Sequence, residues 1–378
     1  MHIHERSKPS DSRHLTLSLC LLFTVVIATS GAAGRDKSDE KTPFTLTWIE
    51  GKCVDCKTAS NLARIQVVSR NEAWAIGYQY APQGAGDFIV VQTKDGGHTW
   101  RELPRTYQHA GDEYGPPAFS FLDANRGWIA WWNLASEPKI IRTGNGGRNW
   151  QDVPGEFLQK VIFFDDSRGY GTEVTKFLRT NDGGQHWTGS PIPDLRFIDR
   201  MFFLTPEIGW IAGTDGKDFF VFHTTNGGRD WEESKTTPPD ELANVRDIFF
   251  LDQNRGWLIT WHFNNSGTYL FSTEDGGKNW IPEHDLSFQG NDKWEGVVRF
   301  ISKNIGFVFV RDSVDRLVYT LDGGTRWTQL SLPHSVYDCQ VFEGDLLCSA
   351  GNGPAEFKLL TVHTKHSAAD IRSSGKTH

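Results

Sequence analysis

Long apolar runs, helical periodicity and an excess of positive charge are all scarce in this sequence. One run, residues 15–29, is strongly apolar, and no stretch has the periodicity of an amphipathic helix. The formal net charge is -8, which argues against a general surface for nucleic acid or anionic membrane. We therefore expect a globular chain without further membrane-spanning segments and without a nucleic-acid partner.

The N-terminal region carries Arg6, Lys8 and Arg13, followed by the apolar run and then by small residues. This pattern predicts a signal peptide over residues 1–33, because the run is short for a bilayer span. An uncleaved anchor is the alternative. We expect an exported protein, periplasmic or extracellular, with a linker over 34–43 and a disordered tail over 365–378.

Cysteine is also scarce: the chain has five, of which Cys20 lies in the apolar run. The remaining four are an even number in a compartment where disulfides persist. Cys339 and Cys348 flank a predicted hairpin turn, so we expect them to be bridged. Cys53 and Cys56 favour a second structural bridge, with a redox or metal pair as the alternative.

Glycine and tryptophan are abundant by contrast, with 38 and 15 residues. Many belong to an octapeptide, Thr-x-Asp/Asn-Gly-Gly-x-x-Trp, that begins at Thr93 and is here called the Gly-Gly turn. Asp or Asn can bond the backbone two residues on, and the glycines supply positive φ. We expect a structural role for the six third-position residues, which are Asp95, Asn145, Asp182, Asn226, Asp275 and Asp322.

A second motif, Phe-x-x-x-x-x-Gly-Trp at residues 121–128, alternates with the first. Its counterparts are 164–170, 203–210, 250–257 and 300–307, with a looser copy at 67–74. Each copy has the pattern of a strand, a polar turn and a second strand. Together the two motifs predict four antiparallel strands per repeat, which is the blade of a β-propeller.

A seventh, incomplete repeat follows the last Gly-Gly turn, with a hairpin at 336–349 and a strand at 357–362. It lacks a fourth strand, which an N-terminal strand at 44–49 supplies and thereby closes the ring without an open sheet edge. We therefore predict an all-β, seven-bladed propeller over residues 44–364. A six-bladed ring that leaves these segments outside is the alternative.

The Gly-Gly turn resembles the Asp-box of bacterial neuraminidase (BNR) repeats, which occurs in sialidases, sortilin-type receptors and Ycf48-type photosystem II assembly factors. With the Gly-Trp turn before each copy, the chain resembles the Ycf48 type over its mature length. The resemblance implies a non-catalytic scaffold that binds another protein, such as a membrane-protein assembly intermediate. We also expect a monomer. It assigns no binding residue to this chain.

Two groups of residues are candidates for binding. The first lies in the variable loops, where aromatic, amide and carboxylate groups suit a peptide or a glycan, and where packing is the simpler alternative. The second lies at the starts of the inner strands around the mouth of the central channel and could hold an anionic group, with salt bridges between blades as the alternative. The loop candidates are Tyr107, His109, Glu113, Tyr114, Trp132, His262 and Trp294, and the channel candidates are Arg64, Lys160, Arg200 and Arg246.

A sialidase-like or other glycoside hydrolase, or a carbohydrate-binding propeller, is the alternative function. Sialidases use an arginine triad and a tyrosine nucleophile, and their domains usually open with Arg-Ile-Pro. Here Arg64 and Ile65 are followed by Gln66. We assign no catalytic residue and expect neither a cofactor nor a metal.

The purified protein is accordingly expected to release no fluorophore from a fluorogenic sialoside. Turnover that disappears when Arg246 or Glu113 is replaced would contradict this prediction.

Overall fold

The computed structural model describes residues within 44–364, all in one compact unit, Glu40–His378. It leaves gaps at 55–60, 79–86, 104–106, 109–116, 133–136, 193, 217, 235–242, 263–266, 286–294, 312–314 and 352–356. The predicted signal peptide, linker and tail lie outside the described residues. The described part of the chain is all-β, as predicted, and contains no helix long and apolar enough to span a membrane.

Five separate sheets each contain four antiparallel strands in the order of the chain. The first contains β7 (Ala118–Phe121), β8 (Gly127–Trp132), β9 (Pro138–Thr143) and β10 (Gln151–Val153). The second contains β11 (Lys160–Phe163), β12 (Gly169–Glu173), β13 (Lys176–Thr180) and β14 (Thr188–Pro191). The third contains β15 (Phe197–Phe203), β16 (Gly209–Thr214), β17 (Phe219–Thr224) and β18 (Glu232–Glu233). The fourth contains β19 (Ala243–Phe250), β20 (Gly256–His262), β21 (Thr268–Thr273) and β22 (Ile281–Asp285). The fifth contains β23 (Glu295–Phe300), β24 (Gly306–Arg311), β25 (Arg316–Thr320) and β26 (Thr328–Ser331).

A nine-stranded sheet unites both ends of the described chain. Its N-terminal strands are β1 (Phe44–Val54), β2 (Asn61–Val67), β3 (Ala73–Tyr78), β4 (Asp87–Thr93), β5 (Thr99–Glu102) and β6 (Tyr107–Gln108). Its C-terminal strands are β27 (Ser335–Phe342), β28 (Asp345–Gly351) and β29 (Phe357–Thr364).

Strand β1 joins the two halves of this sheet and is longer than the predicted strand at 44–49. Residues 44–51 pair antiparallel with β29, from Phe44 opposite Thr364 to Gly51 opposite Phe357. The continuation from Lys52 to Val54 pairs in parallel with β5. The parallel extension was not predicted, because no sequence pattern marks a strand that leaves one partner for another.

The C-terminal hairpin has the predicted turn and disulfide. Glu343 and Gly344 at its tip have φ values of 49° and 85°. Cys339 on β27 lies directly opposite Cys348 on β28, and the two sulfurs are bonded. Cys56 lies outside the described residues, so its bridge to Cys53 stays a prediction.

Each Gly-Gly turn is built by the same three side-chain bonds. In the third copy, the Thr180 hydroxyl donates to Asp182 Oδ1 at 2.8 Å and accepts from the Gly184 amide at 2.9 Å. The His186 amide also donates to Asp182, at 3.0 Å. Backbone and side-chain hydrogen bonds from His186 lower the pKa of Asp182 to about 2. The carboxylate is thus occupied by the turn.

The two repeated turns of every sheet lie together. In each of the six copies, the amide of the first glycine donates to a carbonyl of the turn that joins the first two strands, as from Gly183 to Ser167 at 2.8 Å. Both turns of a sheet therefore lie at the same end of its strands, which is here called the turn face. The starts of the first strands lie at the other end of the strands.

Aromatic stacking connects neighbouring sheets. The Trp on the second strand of one sheet stacks on the Phe that ends the first strand of the next, as between Trp210 and Phe250, with ring centroids 3.5 Å apart. The same pairs are Trp74 with Phe121, Trp128 with Phe163 and Trp257 with Phe300. The Trp that ends the Gly-Gly turn also contacts aromatic rings. Trp231 contacts Phe177 of a neighbouring sheet, whereas Trp187 contacts Phe163 of its own sheet.

Gly228→Ala is expected to destabilise the protein by about 2–4 kcal/mol, because φ is +71° and the new Cβ would overlap the Phe177 ring. Gly144→Ala is the matched control, since its Cβ would meet nothing within 4 Å, and it should change stability by less than about 0.5 kcal/mol. Urea unfolding of both variants measures the difference. Equal effects would show that the turn geometry does not limit stability.

Candidate functional site

The strands that begin the repeats are here called the first strands and are β2, β7, β11, β15, β19, β23 and β27. Most of them have a side chain that forms a hydrogen bond with the backbone of the neighbouring first strand. Asp199 on β15 accepts from the Val245 amide on β19 at 3.1 Å, and Asp247 accepts from Val298 on β23 at 2.9 Å. The other bonds of this kind join Ser120 to Phe163, Gln66 to Phe121, Asp338 to Ile65, Gln340 to Val67 and Arg299 to the Cys339 carbonyl. The pairs that include Ile65 and Val67 link β27 to β2. The C-terminal repeat therefore contacts the N-terminal one.

The junction between β11 and β15 differs from these. Strand β11 reads Lys-Val-Ile-Phe, and a lysine ammonium has no acceptor for a neighbouring amide. Among the described residues, no side chain of β11 bonds the backbone of β15. An open cleft of about 440 Å³ lies here, lined by Gln159, Lys160, Phe197, Ile198, Asp199, Arg200, Thr214, Gly216 and Asn244.

Register shifts in the first strands position the charged side chains of this region. The pairing of β15 with β16 skips Asp199, and that of β19 with β20 skips Arg246. Such bulges commonly redirect side chains beside functional sites. Arg64, Lys160 and Arg200 each lie three residues before the last paired residue of their strand. Arg64 and Arg200 thus lie at the same position relative to the ends of their strands.

Lys160 is the exceptional group of the cleft. Desolvation by burial, together with the nearby positive charges of Arg200 and Arg64, lowers its pKa to about 7, while the charge of Asp199 opposes the shift. Among the described residues, its ammonium has neither a hydrogen bond nor a salt bridge. The chain thus holds an amine that is half-protonated near neutral pH.

The neighbouring Asp199 is a partly buried carboxyl group. Burial raises the pKa of Asp199, although the Val245 amide and the charge of Arg200 oppose that shift. Arg200 uses one guanidinium nitrogen on the Asp199 carbonyl at 2.8 Å. Its remaining N–H groups donate to no described residue, so they are available to a ligand.

A charge-balanced group lies on the other first strands. Arg299 on β23 pairs with Asp247 at 2.6 Å and approaches Asp338 at 3.7 Å, and the arginine side chain is only 15% exposed. Burial raises the pKa of Asp338 despite that arginine. Salt bridges between first strands therefore neutralise Arg299. The excess positive charge lies around the cleft.

The other candidate residues have varied positions. Arg246 lies over the Trp261 ring at 5.1 Å. Trp132 belongs to β8 rather than to a loop and is buried. The centroids of its ring and the Phe157 ring are 3.2 Å apart. Tyr107 lies in β6 and His262 ends β20, and the remaining four candidates, His109, Glu113, Tyr114 and Trp294, fall outside the described residues.

Sequence reasoning missed the apolar part of the cleft. Phe197 is 46% exposed, and Arg196 lies over its ring at 5.6 Å. Gln159 and Asn244 add amide groups beside it. Phe197 precedes a bulge, so strand alternation alone could not place its side chain. The cleft thus combines cations, amides and an accessible aromatic ring.

No protein-family model and no curated protein matches this sequence. Solved structures do resemble it. Ycf48 bound to a D1 peptide matches with a TM-score of 0.60 and 18% identity, over 85% of this chain and 97% of that one. Ycf48 from Cyanidioschyzon merolae matches with 0.58 and 16%, over 84% and 98%.

The GH74 xyloglucanase from Xanthomonas campestris matches with a TM-score of 0.56 and 16% identity, over 82% of this chain and 53% of that one. Identities this low carry information on the fold alone. The chain has a β-propeller fold.

The lowered pKa of Lys160 predicts a pH-dependent stability. Between pH 7 and 10.5 the unfolded chain binds more protons at this lysine than the native chain, so the free energy of unfolding rises with pH across that window. Below pH 7 the native state carries the whole cost of charging the buried amine. Lys160→Met is therefore expected to be more stable than the parent at pH 6, by more than about 1.4 kcal/mol, the equivalent of one pKa unit.

This advantage should shrink steadily towards pH 10, as measured by urea unfolding at several pH values. The control is Lys94→Met, at an exposed turn position, which should show no such trend because no burial opposes a charge there. An advantage of Lys160→Met that is the same at pH 6 and pH 10 would refute the assignment.

Proposed function

We propose that this chain is an exported, non-catalytic propeller that binds a protein segment carrying a carboxylate, as a scaffold of the Ycf48 type. The observation that carries the proposal is the β11–β15 cleft. There, Lys160 and Arg200 have unused donors, and Phe197 offers an exposed ring. Charge-assisted bonds to a carboxylate are about twice as strong as neutral ones.

The proposed architecture is a ring of seven four-stranded blades. In it, β27, β28 and β29 form the last blade with β1 as their fourth strand. Support comes from two places: the antiparallel register of β1 with β29, and the bonds from Asp338 and Gln340 to β2. A closed ring has no free sheet edge on which to aggregate. It is also rigid, which suits a scaffold.

The solved structure of Ycf48 with a D1 peptide supports a protein partner. From this comparison we also propose that the partner is a protein segment and that the Gly-Gly turns are Asp-boxes. Export is supported by the Cys339–Cys348 disulfide, because such bonds persist in oxidising compartments. The proposed partner is a membrane-protein assembly intermediate that is held by a monomeric propeller.

A glycan is the second candidate ligand. Phe197 offers an exposed ring beside the amides of Gln159 and Asn244, and aromatic rings with nearby polar groups suit sugars as well as peptides. The xyloglucanase among the similar structures supports this alternative at the level of the fold. Binding without turnover of xyloglucan oligosaccharides would favour it.

The peptide proposal is tested with a fluorescent peptide of mixed acidic and apolar residues that ends in a free carboxylate. Fluorescence anisotropy should detect saturable binding that weakens with salt. Arg200→Gln is expected to weaken it at least tenfold, because a lost charge-assisted bond costs about 1.5–3 kcal/mol. Arg229→Gln, an exposed residue in a Gly-Gly turn on the other face, should change it less than twofold.

Two results would overturn the proposal. One is peptide affinity that is unaffected by Arg200→Gln but lowered by Arg229→Gln. The other is binding of xyloglucan oligosaccharides by a protein that binds none of the acidic peptides.

A further inference from the structure

The cleft contains a lysine whose charge is only partly offset by a nearby carboxyl group. Lys160 has no hydrogen-bond or salt-bridge partner among the described residues. Where most neighbouring first strands are linked by a side chain that accepts from a backbone amide, β11 provides only the lysine. Lys160 therefore lines an open cleft of about 440 Å³ and does not form a bonded junction.

The charged groups that face this amine come from two strands. Arg200 and Asp199 approach it from β15, and Arg64 approaches it from β2. Strand β7, on the other side of β11, reads Ala-Phe-Ser-Phe and carries no ionisable group. On β12, Thr172 lies opposite Lys160, and Glu173 is paired with Lys176. Two guanidinium groups thus oppose protonation, and one half-buried carboxyl favours it.

Asp199 offsets the positive charge only in part. Its Oδ2 accepts from the Val245 amide, which fixes the carboxyl towards the junction with β19. The two nearby arginines repel the ammonium, so the empty cleft favours the neutral amine. An anion that enters the cleft reverses this balance, because an opposite charge within about 4–6 Å favours the protonated form.

We propose that the β11–β15 cleft is a proton-coupled anion site, in which an oxyanion binds between Arg200 and Lys160 and Lys160 takes up one proton as the anion binds. The ligand chemistry is an oxyanion such as a carboxylate or a sulfate. The balance is simple: the amine gains a proton from solvent, no other bond changes, and the ammonium donates to the anion. This inference uses the same cleft as the proposed function but does not depend on a protein partner.

Linkage makes the coupling measurable. Lys160 titrates near pH 7 in the empty cleft, so the binding-competent ammonium falls from about nine-tenths of the population at pH 6 to about one-tenth at pH 8. Affinity for a non-titrating anion should therefore fall about tenfold between these pH values. The site releases its ligand as the surroundings become more alkaline.

The experiment follows the ε-carbon resonance of Lys160 by NMR in the full chain with ¹³C-labelled lysine. Titrations are run in sodium sulfate and in sodium chloride at equal ionic strength, since sulfate does not itself titrate in this range. The resonance is assigned by its loss in Lys160→Arg. We expect the apparent pKa of Lys160 to be at least one unit higher in sulfate than in chloride.

Lys160→Arg provides the second readout, because arginine stays protonated throughout the range. Sulfate affinity, measured by calorimetry, should fall about tenfold from pH 6 to pH 8 in the parent and less than twofold in the variant. Equal titration of Lys160 in the two salts would overturn the proposal. So would a parent-like pH dependence in Lys160→Arg.

The two proposals fail separately. A sulfate-dependent titration without any peptide binding would remove the protein partner and keep the anion site. Peptide binding without a change in the titration of Lys160 would keep the partner and remove the proton coupling.

Discussion

The fold depends on satisfying backbone amides where one first strand meets the next. These strands come from different sheets, so no ladder of backbone bonds joins them. Side chains such as Asp199, Asp247 and Ser120 accept the amide of the neighbouring strand instead. Acceptors on most first strands, and the Arg299 guanidinium on β23, thus join separate sheets. Trp–Phe stacking between sheets adds apolar burial at their turn ends.

The candidate site follows from the failure of this rule at one position. Strand β11 has a lysine where an acceptor would be needed. The junction with β15 therefore opens into a cleft, and the same substitution places a poorly solvated amine beside Arg200. The missing bond between β11 and β15 and the lowered pKa of Lys160 thus have one cause. For this reason we expect a ligand in the cleft and not at the uniform turns.

The local structure of this chain was largely predictable, because it is encoded in short contiguous motifs. The Gly-Gly turns, the Glu343–Gly344 hairpin and the Cys339–Cys348 bond each need only a few neighbouring residues, and all have the expected geometry. The site was predictable only in part. Lys160 and Arg200 were singled out, but Phe197 was missed and Trp132 is packed, because bulges and contacts between sheets depend on residues far apart in sequence.

The central claim is that a partner binds at the starts of the first strands and not at the turn face. Phe197 near the cleft and Ile281 near the Gly-Gly turns are both exposed, at 46% and 60%, so each can carry a photo-crosslinking amino acid with little cost to folding. We expect that only the label at position 197 crosslinks a partner in the native envelope. The crosslinked segment should carry acidic side chains or a terminal carboxylate. Crosslinking from position 281 alone would contradict it.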